Sequence, residues 1–300
     1  ASEGPQDAPA ELAWEDLPLI DALGLELGYR LIPLADATQG GELMGRIRGI
    51  RRKLSEEMGF LFPAVHVRDN LQLPPAQYRI LLHGVEIASA ECHPDRDLAL
   101  DAGQVLDTVD GISTHDPAFG MPAVWIEPGN RAYAQAQGYT VVDAATVMAT
   151  HLSQIFKQHA HELLGIEEAQ ALLAATARHA PKLVEDLIPK QLSLAVFAKV
   201  LQGLLTERIP VRNLRGILEA LAEHAPRTND PQALLIAVRQ ALSRQIVAAL
   251  GQSTTADLPV FTLSAPLEQL LQDGLQHTNA VLEPGLADQI QSALHQHVQQ

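Results

Sequence analysis

Apolar residues recur along this chain at two different spacings, and the places where the spacing changes divide it into elements. In GGELMGRIRGIRRKLSEEMGF, Leu43, Ile47, Ile50, Leu54 and Met58 fall three or four positions apart, which lays them on one face of an amphipathic helix. Ahead of it, GYRLIPLAD from Leu27 reads as a strand. After it, AVHVRDN and AQYRILLHGVEIASAE read as strands, rich in alternating and β-branched residues. Between Asp95 and Asp116, Gly and Asp break the pattern into loops and short strands that lead to WIEP and GYTVVD, so residues 95–143 read as a small inserted domain. A helix opens near Ala144, with Met148, Leu152, Ile155, Phe156 and Leu163 on one face. Asp143 stands just before it, where a carboxylate accepts the first free amides. This helix is expected to return the chain to the first domain.

From about Ile166 to Leu250 the pattern is helical almost throughout. Leu194, Phe197, Leu201 and Leu204 form one set, Leu214, Ile217 and Leu221 a second, and Leu235, Val238, Leu242 and Ile246 a third. Pro181, Pro210, Pro226 and Pro231 fall at the expected helix boundaries. LPVFTLS then reads as a strand, with APLEQLLQDGLQ and PGLADQIQSALHQHVQ as helices. No repeat of fixed period occurs.

Composition changes this picture in two places. At 300 residues and 47% hydrophobic, the chain exceeds one ordinary core and is expected to divide into several domains. Its net charge of -15 disfavours nucleic acid or an anionic membrane surface as the main partner. Every charge before Arg30 is acidic and Pro5, Pro9 and Pro18 lie among them, so residues 1–21 read as a flexible linker. Its apolar side chains, Trp14, Leu17, Leu19, Ile20 and Leu23, either dock on something else or cover their own domain. No apolar run approaches the roughly 20 residues that span a bilayer, and the single Cys92 cannot form an internal disulfide. The Ala1 start suggests a portion of something longer.

Candidate chemistry is sparse. The helix after Gly41 carries Arg46, Arg48, Arg51, Arg52 and Lys53, but no aromatic residues interleave with them, so a solvated, ion-paired face is expected rather than a nucleic-acid site. His151, His159 and His161 are the densest histidine group. HELLG has Gly165 where HExxH has its second His, and His295 and His297 are two apart on a helix, so no metal and no cofactor is expected. Ser113 and Ser253 lack the second Gly of a GxSxG elbow, and neither GxGxxG nor GxxxxGK[ST] occurs. Adjacent carboxylates such as Glu56 and Glu57 face apart on a helix. Nothing here argues for an enzyme.

The blocks LGYRLIPLAD, QGGELMGRIRGIRRKL, FPAVHVRDN, DPAFGMPAVWI, GYTVVDAATVMATHL, IPKQLSLAVFAKVLQGLLTERIPVRNLRGILEAL and LEPGLAD together resemble the cytoplasmic region of the type III secretion export-gate family over about residues 27–290, on its flagellar rather than its injectisome branch. The resemblance implies an α+β fold of four subdomains: 22–94 plus 144–163, an inserted 95–143, a helical 164–243, and a small, incomplete fourth from 244. It implies a bacterial inner-membrane protein whose membrane half precedes this chain, with this portion on the cytoplasmic side in a homo-oligomeric, nonameric ring. Its expected partners are export chaperones carrying filament-type substrates, together with the ATPase complex and the substrate-switch gate protein.

Carried over by position, the docking residues would be Asp116 and Phe119 of DPAFG, Val142 of GYTVVD, and Val147 and Thr150 of the next helix, with Leu98 nearby. Trp14, Leu17 and Leu19 would contact the neighbouring subunit, and Gly28 is a possible hinge. An apolar dimple with one carboxylate suits a partner helix, its apolar anchors filling the dimple and a donor group meeting the carboxylate. Each residue also has a plainer reading: Phe119 as a core aromatic, Asp116 as the side-chain acceptor of its own turn, Thr150 as helix surface, Gly28 as a turn glycine. As whole-protein alternatives, a purely structural ring subunit and a metal-dependent hydrolase remain.

Overall fold

A computed structural model describes residues 20–36, 38, 40–103, 105–249, 262–276 and 285–298. The chain folds as two compact units, the first ending at Ile246 and the second beginning at Val247.

The first unit holds two four-stranded sheets. Sheet one has the order β2-β1-β3-β4, from β1 (Leu23–Leu27), β2 (Val65–Asp69), β3 (Gln77–Leu82) and β4 (Val85–Glu91). β1 runs parallel to β2 and antiparallel to β3. The strand expected from Leu27 therefore lies earlier, and residues 29–35 instead form a 3-10 turn (Tyr29–Leu31) and a short helix α1 (Ile32–Ala35). Pro33 accounts for the difference: it has no N–H to give a sheet ladder, and it stands in the first turn of α1 where none is needed. Leu23, Leu25 and Leu27 are buried in the central strand, so Leu23 covers its own domain rather than extending the linker's apolar surface.

Sheet two is antiparallel in the order β6-β7-β5-β8, from β5 (Asp97–Leu100), β6 (Ile112–His115), β7 (Pro122–Ile126) and β8 (Thr140–Asp143). Its register aligns Ile112, Trp125, Leu98 and Val142 across one face. Successive side chains alternate faces. Ala99, Ile126 and Val141 on the other face therefore form a separate small core with Ala134 of α3 (Arg131–Ala136) and Tyr139. On the first face, Leu98, Ala123 and Trp125 join the main core, which also takes in sheet one, α2 (Leu43–Met58) and α4 (Ala144–Gln158).

The basic face of α2 is ion-paired or bonded in part. Arg46 meets Glu42 at 2.6 Å, Arg52 meets Glu56 at 3.2 Å, and Arg51 donates to the Phe62 carbonyl at 2.6 Å. The short α5 (Ala160–Leu163) follows α4, and a helical block continues the unit: α6 (Ile166–Ala177), α7 (Pro181–Leu187), α8 (Leu194–Thr206), α9 (Leu214–His224) and α10 (Pro231–Ala241); α11 (Ser243–Ala249) begins in this unit and runs past Ile246. Ser193, Asn213 and Asp230 cap α8, α9 and α10, and Pro181 and Pro231 sit in first helical turns.

The second unit contains α12 (Ala265–Gln276) and α13 (Leu286–Val298), both expected from the sequence. Of LPVFTLS, residues 258–261 lie outside the described residues, and 262–264 are not in a strand.

One residue joins the layers of the first unit. Asp143 ends β8 and caps α4, accepting from the Thr146 N–H at 2.9 Å and the Thr146 hydroxyl at 3.0 Å. Arg46 of α2 approaches the same carboxylate at 3.1 Å and also reaches the Thr146 hydroxyl. Burial pushes the Asp143 pKa up, but the Thr146 bonds and the Arg46 charge outweigh it and hold the carboxyl below its usual value. Its stabilising effect is therefore present above the unfolded carboxyl's value near 3.9 and is lost as pH falls through the lower folded value. Asp143→Ala should cost about 1–2 kcal/mol, a fall of roughly 2–8 °C in thermal midpoint, and Asp143→Asn less because its oxygen still caps the helix. Thermal unfolding of the two variants at neutral pH checks this.

Candidate docking site

DPAFGM forms the closed connection between β6 and β7. The Asp116 N–H donates to the Met121 carbonyl and the Gly120 N–H to the Asp116 carbonyl, both at 2.8 Å. An Asp116 carboxylate oxygen accepts the Phe119 N–H, also at 2.8 Å. Pro117 presets its own φ. The turn is thus closed from inside by a carboxylate that is only 5% exposed, and its Phe119 side chain stands 61% exposed. Phe119 is not a core aromatic. The Asp116 oxygen that the docking picture offers to a partner is engaged with its own turn, the plainer of its two readings.

The remaining candidates separate by depth. Val142 and Thr150 are half-buried and keep part of their surface in solvent. Leu98 and Val147 do not: they are 0% and 2% exposed. β5 is an inner strand whose Leu98 face belongs to the main core together with Val147 of α4, so these two form a floor and cannot be contact atoms in this arrangement. Ile112, in register with Trp125 at the end of β6 away from the turn, is 45% exposed and was not singled out in the sequence, where ISTH has no distinguishing pattern.

Beneath the turn lies a buried polar group. The Tyr78 hydroxyl and His151 Nδ1 are 2.8 Å apart, with the rings edge to face at 5.8 Å and 71°. Burial holds His151 below its ordinary pKa, opposed by the nearby Asp116 charge. Burial raises Tyr78 well above its usual value, with Cys92 and Asp116 adding to the rise. The fully buried Cys92 thiol, beside the Ala144 carbonyl, is pushed up to about 12 by burial and then by Asp143, which keeps it protonated and unreactive. Tyr78 belongs to β3, far away in sequence, so only the fold could reveal its pairing.

The histidine group does not converge. His151 faces Tyr78, whereas His159 and His161 stack beside Glu162, with His159 Nδ1 at 2.6 Å from its carboxylate. Among the described residues no three His, Cys, Asp or Glu side chains form a metal-sized cluster, and no helix is long and apolar enough to cross a membrane. Trp14, Leu17 and Leu19 lie outside the described residues.

Gly28 has an ordinary extended φ of -64°. What it requires is space: a side-chain carbon there would stand 2.3 Å from the Pro74 carbonyl oxygen. Gly138 instead adopts a φ of 97°, which other residues avoid. Cavities of about 550 and 660 Å³ open elsewhere, one between Arg46, Asp95 and Asp143 and one between Leu61, Glu167 and Ala175. Phe119 lines neither.

This arrangement is the fold of the cytoplasmic domains of type III secretion export-gate proteins. The chain is similar to one in the Chlamydia pneumoniae CdsV and CdsO protein complex, with a TM-score of 0.80 at 25% identity, covering 94% of this chain and 85% of that one. It is also similar in fold to nonameric EPEC SctV-C, with a TM-score of 0.71 at 22% identity, covering 93% and 84% respectively.

At that identity the likeness shows the fold alone.

In sequence the chain is 51% identical over 294 residues to "Flagellar biosynthesis protein FlhA" of Yersinia enterocolitica, covering 97% of this chain and 42% of that protein. It thus spans about two fifths of the length of the curated relatives it matches. A family model described as the FHIPEP family matches residues 1–300, and the chain belongs to that family. The flagellar branch read from QGGELMGRIRGIRRKL agrees with the much higher identity to the flagellar relatives.

The depth of the candidate residues predicts a split in stability. Leu98→Ala should cost about 2–5 kcal/mol, since it empties a buried site. Phe119→Ala should stay within about 0.5 kcal/mol of wild type, as expected for a surface substitution. Chemical denaturation of the two variants reads both values.

Proposed function

We propose that this chain is the cytoplasmic docking platform of a flagellar protein-export gate. It binds export chaperones carrying filament-type substrates at the surface around Phe119 and passes the substrates to a membrane channel. The observation that carries this reading is Phe119 itself: a large apolar side chain 61% exposed on a turn closed by three hydrogen bonds. An exposed aromatic on a rigid turn suits an anchoring contact, because little conformational freedom is lost on binding. The contact set is Phe119, Val142 and Thr150, with Leu98 and Val147 as its floor and Asp116 holding the turn.

The wider reading follows the relatives. The nonameric SctV-C assembly supports a ring of this chain, with Trp14, Leu17 and Leu19 against the neighbouring subunit. The CdsV and CdsO complex supports contact with the ATPase complex of the apparatus, and the substrate-switch gate protein is a further partner. The relatives' greater length supports a membrane half that places this region on the cytoplasmic side of the bacterial inner membrane. The two sheets and the helical block support a division into 22–94 plus 144–163, 95–143, 164–243 and a fourth subdomain from 244, in which Gly28 would act at the edge of the first as a hinge.

Titrating a flagellar chaperone–filament-protein complex into this chain by calorimetry tests the reading. Phe119→Ala should weaken binding about thirtyfold, near 2 kcal/mol, and Asp116→Ala should weaken it by loosening the turn. Wild-type affinity in both variants would refute docking at this surface.

A further inference from the structure

Asp97, Asp116 and His151 are the acidic or imidazole side chains buried among the described residues. Asp97 is paired with Arg131 at 3.2 Å. The other two lie together under the candidate docking surface, with the fully buried Tyr78 between the first sheet and α4. Burying polar groups is costly unless each finds a partner: Tyr78 of β3 and His151 of α4 partner each other, and the Asp116 carboxylate takes the Phe119 amide of its own turn. The Asp116 charge reaches both ring groups, raising the pKa of Tyr78 and opposing the fall in that of His151. His151 also follows Thr150 directly, so a bond that fixes its ring fixes that stretch of α4.

We propose that the Tyr78–His151 hydrogen bond is a positioning element of the docking surface: it ties β3 to α4 beneath the Asp116 turn and so fixes how Phe119 and Thr150 are presented. Tyr78 and His151 touch no partner and act through Phe119. The inference rests on the docking reading, and it adds two residues that have no surface to offer a ligand.

The test has one arm without a partner and one with it. In the first, amide hydrogen exchange is followed in Tyr78→Phe, which removes the hydroxyl and keeps the ring. Phe119 and Gly120 should exchange faster while the α9 amides keep their wild-type rates. Unchanged rates at Phe119, or faster exchange throughout the chain, would overturn the proposal.

In the second arm, a flagellar chaperone–filament-protein complex is titrated into Tyr78→Phe, Phe119→Ala and the double variant. Tyr78→Phe should weaken binding about tenfold, and the double variant should bind no more weakly than Phe119→Ala alone. His151→Asn, whose amide can still meet the Tyr78 hydroxyl, should retain more affinity than His151→Leu. Full additivity of the two losses, or equal loss in both His151 variants, would contradict positioning through Phe119. If Phe119→Ala itself binds like wild type, the docking reading fails, an outcome distinct from a Phe119 effect without a Tyr78 effect.

Discussion

The first unit depends on the Asp143 carboxylate, because three layers meet there. It lies opposite Asp97 at the end of β8, caps α4 through Thr146, and receives Arg46 from α2. A helix cap fixes both where the helix begins and which way its residues face, at about 100° per residue. With α4 starting at Ala144, Val147 and His151 lie one turn apart on the buried side, while Thr146 and Thr150 share the half-buried margin. The same carboxylate thus sets which residues of α4 line the core and which reach the surface near the β6–β7 turn.

Two opposed requirements meet at that turn. Phe119 must remain in solvent, although burying an aromatic ring is favourable, and Asp116 must remain buried, although burying a carboxylate is costly. One arrangement meets both. The Asp116 oxygen takes the Phe119 amide, which compensates the buried group and holds the ring outward. The sheet face that carries Leu98 and Trp125 is itself part of the main core with Val147.

Much of this was legible in the sequence because periodicity reports burial. α2, α4 and α8 to α10 appear where their apolar residues recur at helical spacing, and Asp143 caps α4 as its position suggested. β1 was displaced because LGLEL and YRLIPLA are both apolar-rich, and only the ladder requirement at Pro33 separates strand from helix. The site was half legible. DPAFG announces a turn, but the depth of Leu98 depends on its strand being an inner one, and the Tyr78–His151 pair joins residues 73 positions apart. Neither strand order nor that pairing leaves a local signal.

The most direct test of a docking surface centred on Phe119 is an NMR map of the labelled chain on addition of an unlabelled chaperone–filament-protein complex. The account predicts shifts or broadening concentrated at residues 112–121, Val142 and Thr150, with the α8 to α10 signals unmoved. Signals at 116–120 that stay in place while another region responds would contradict it.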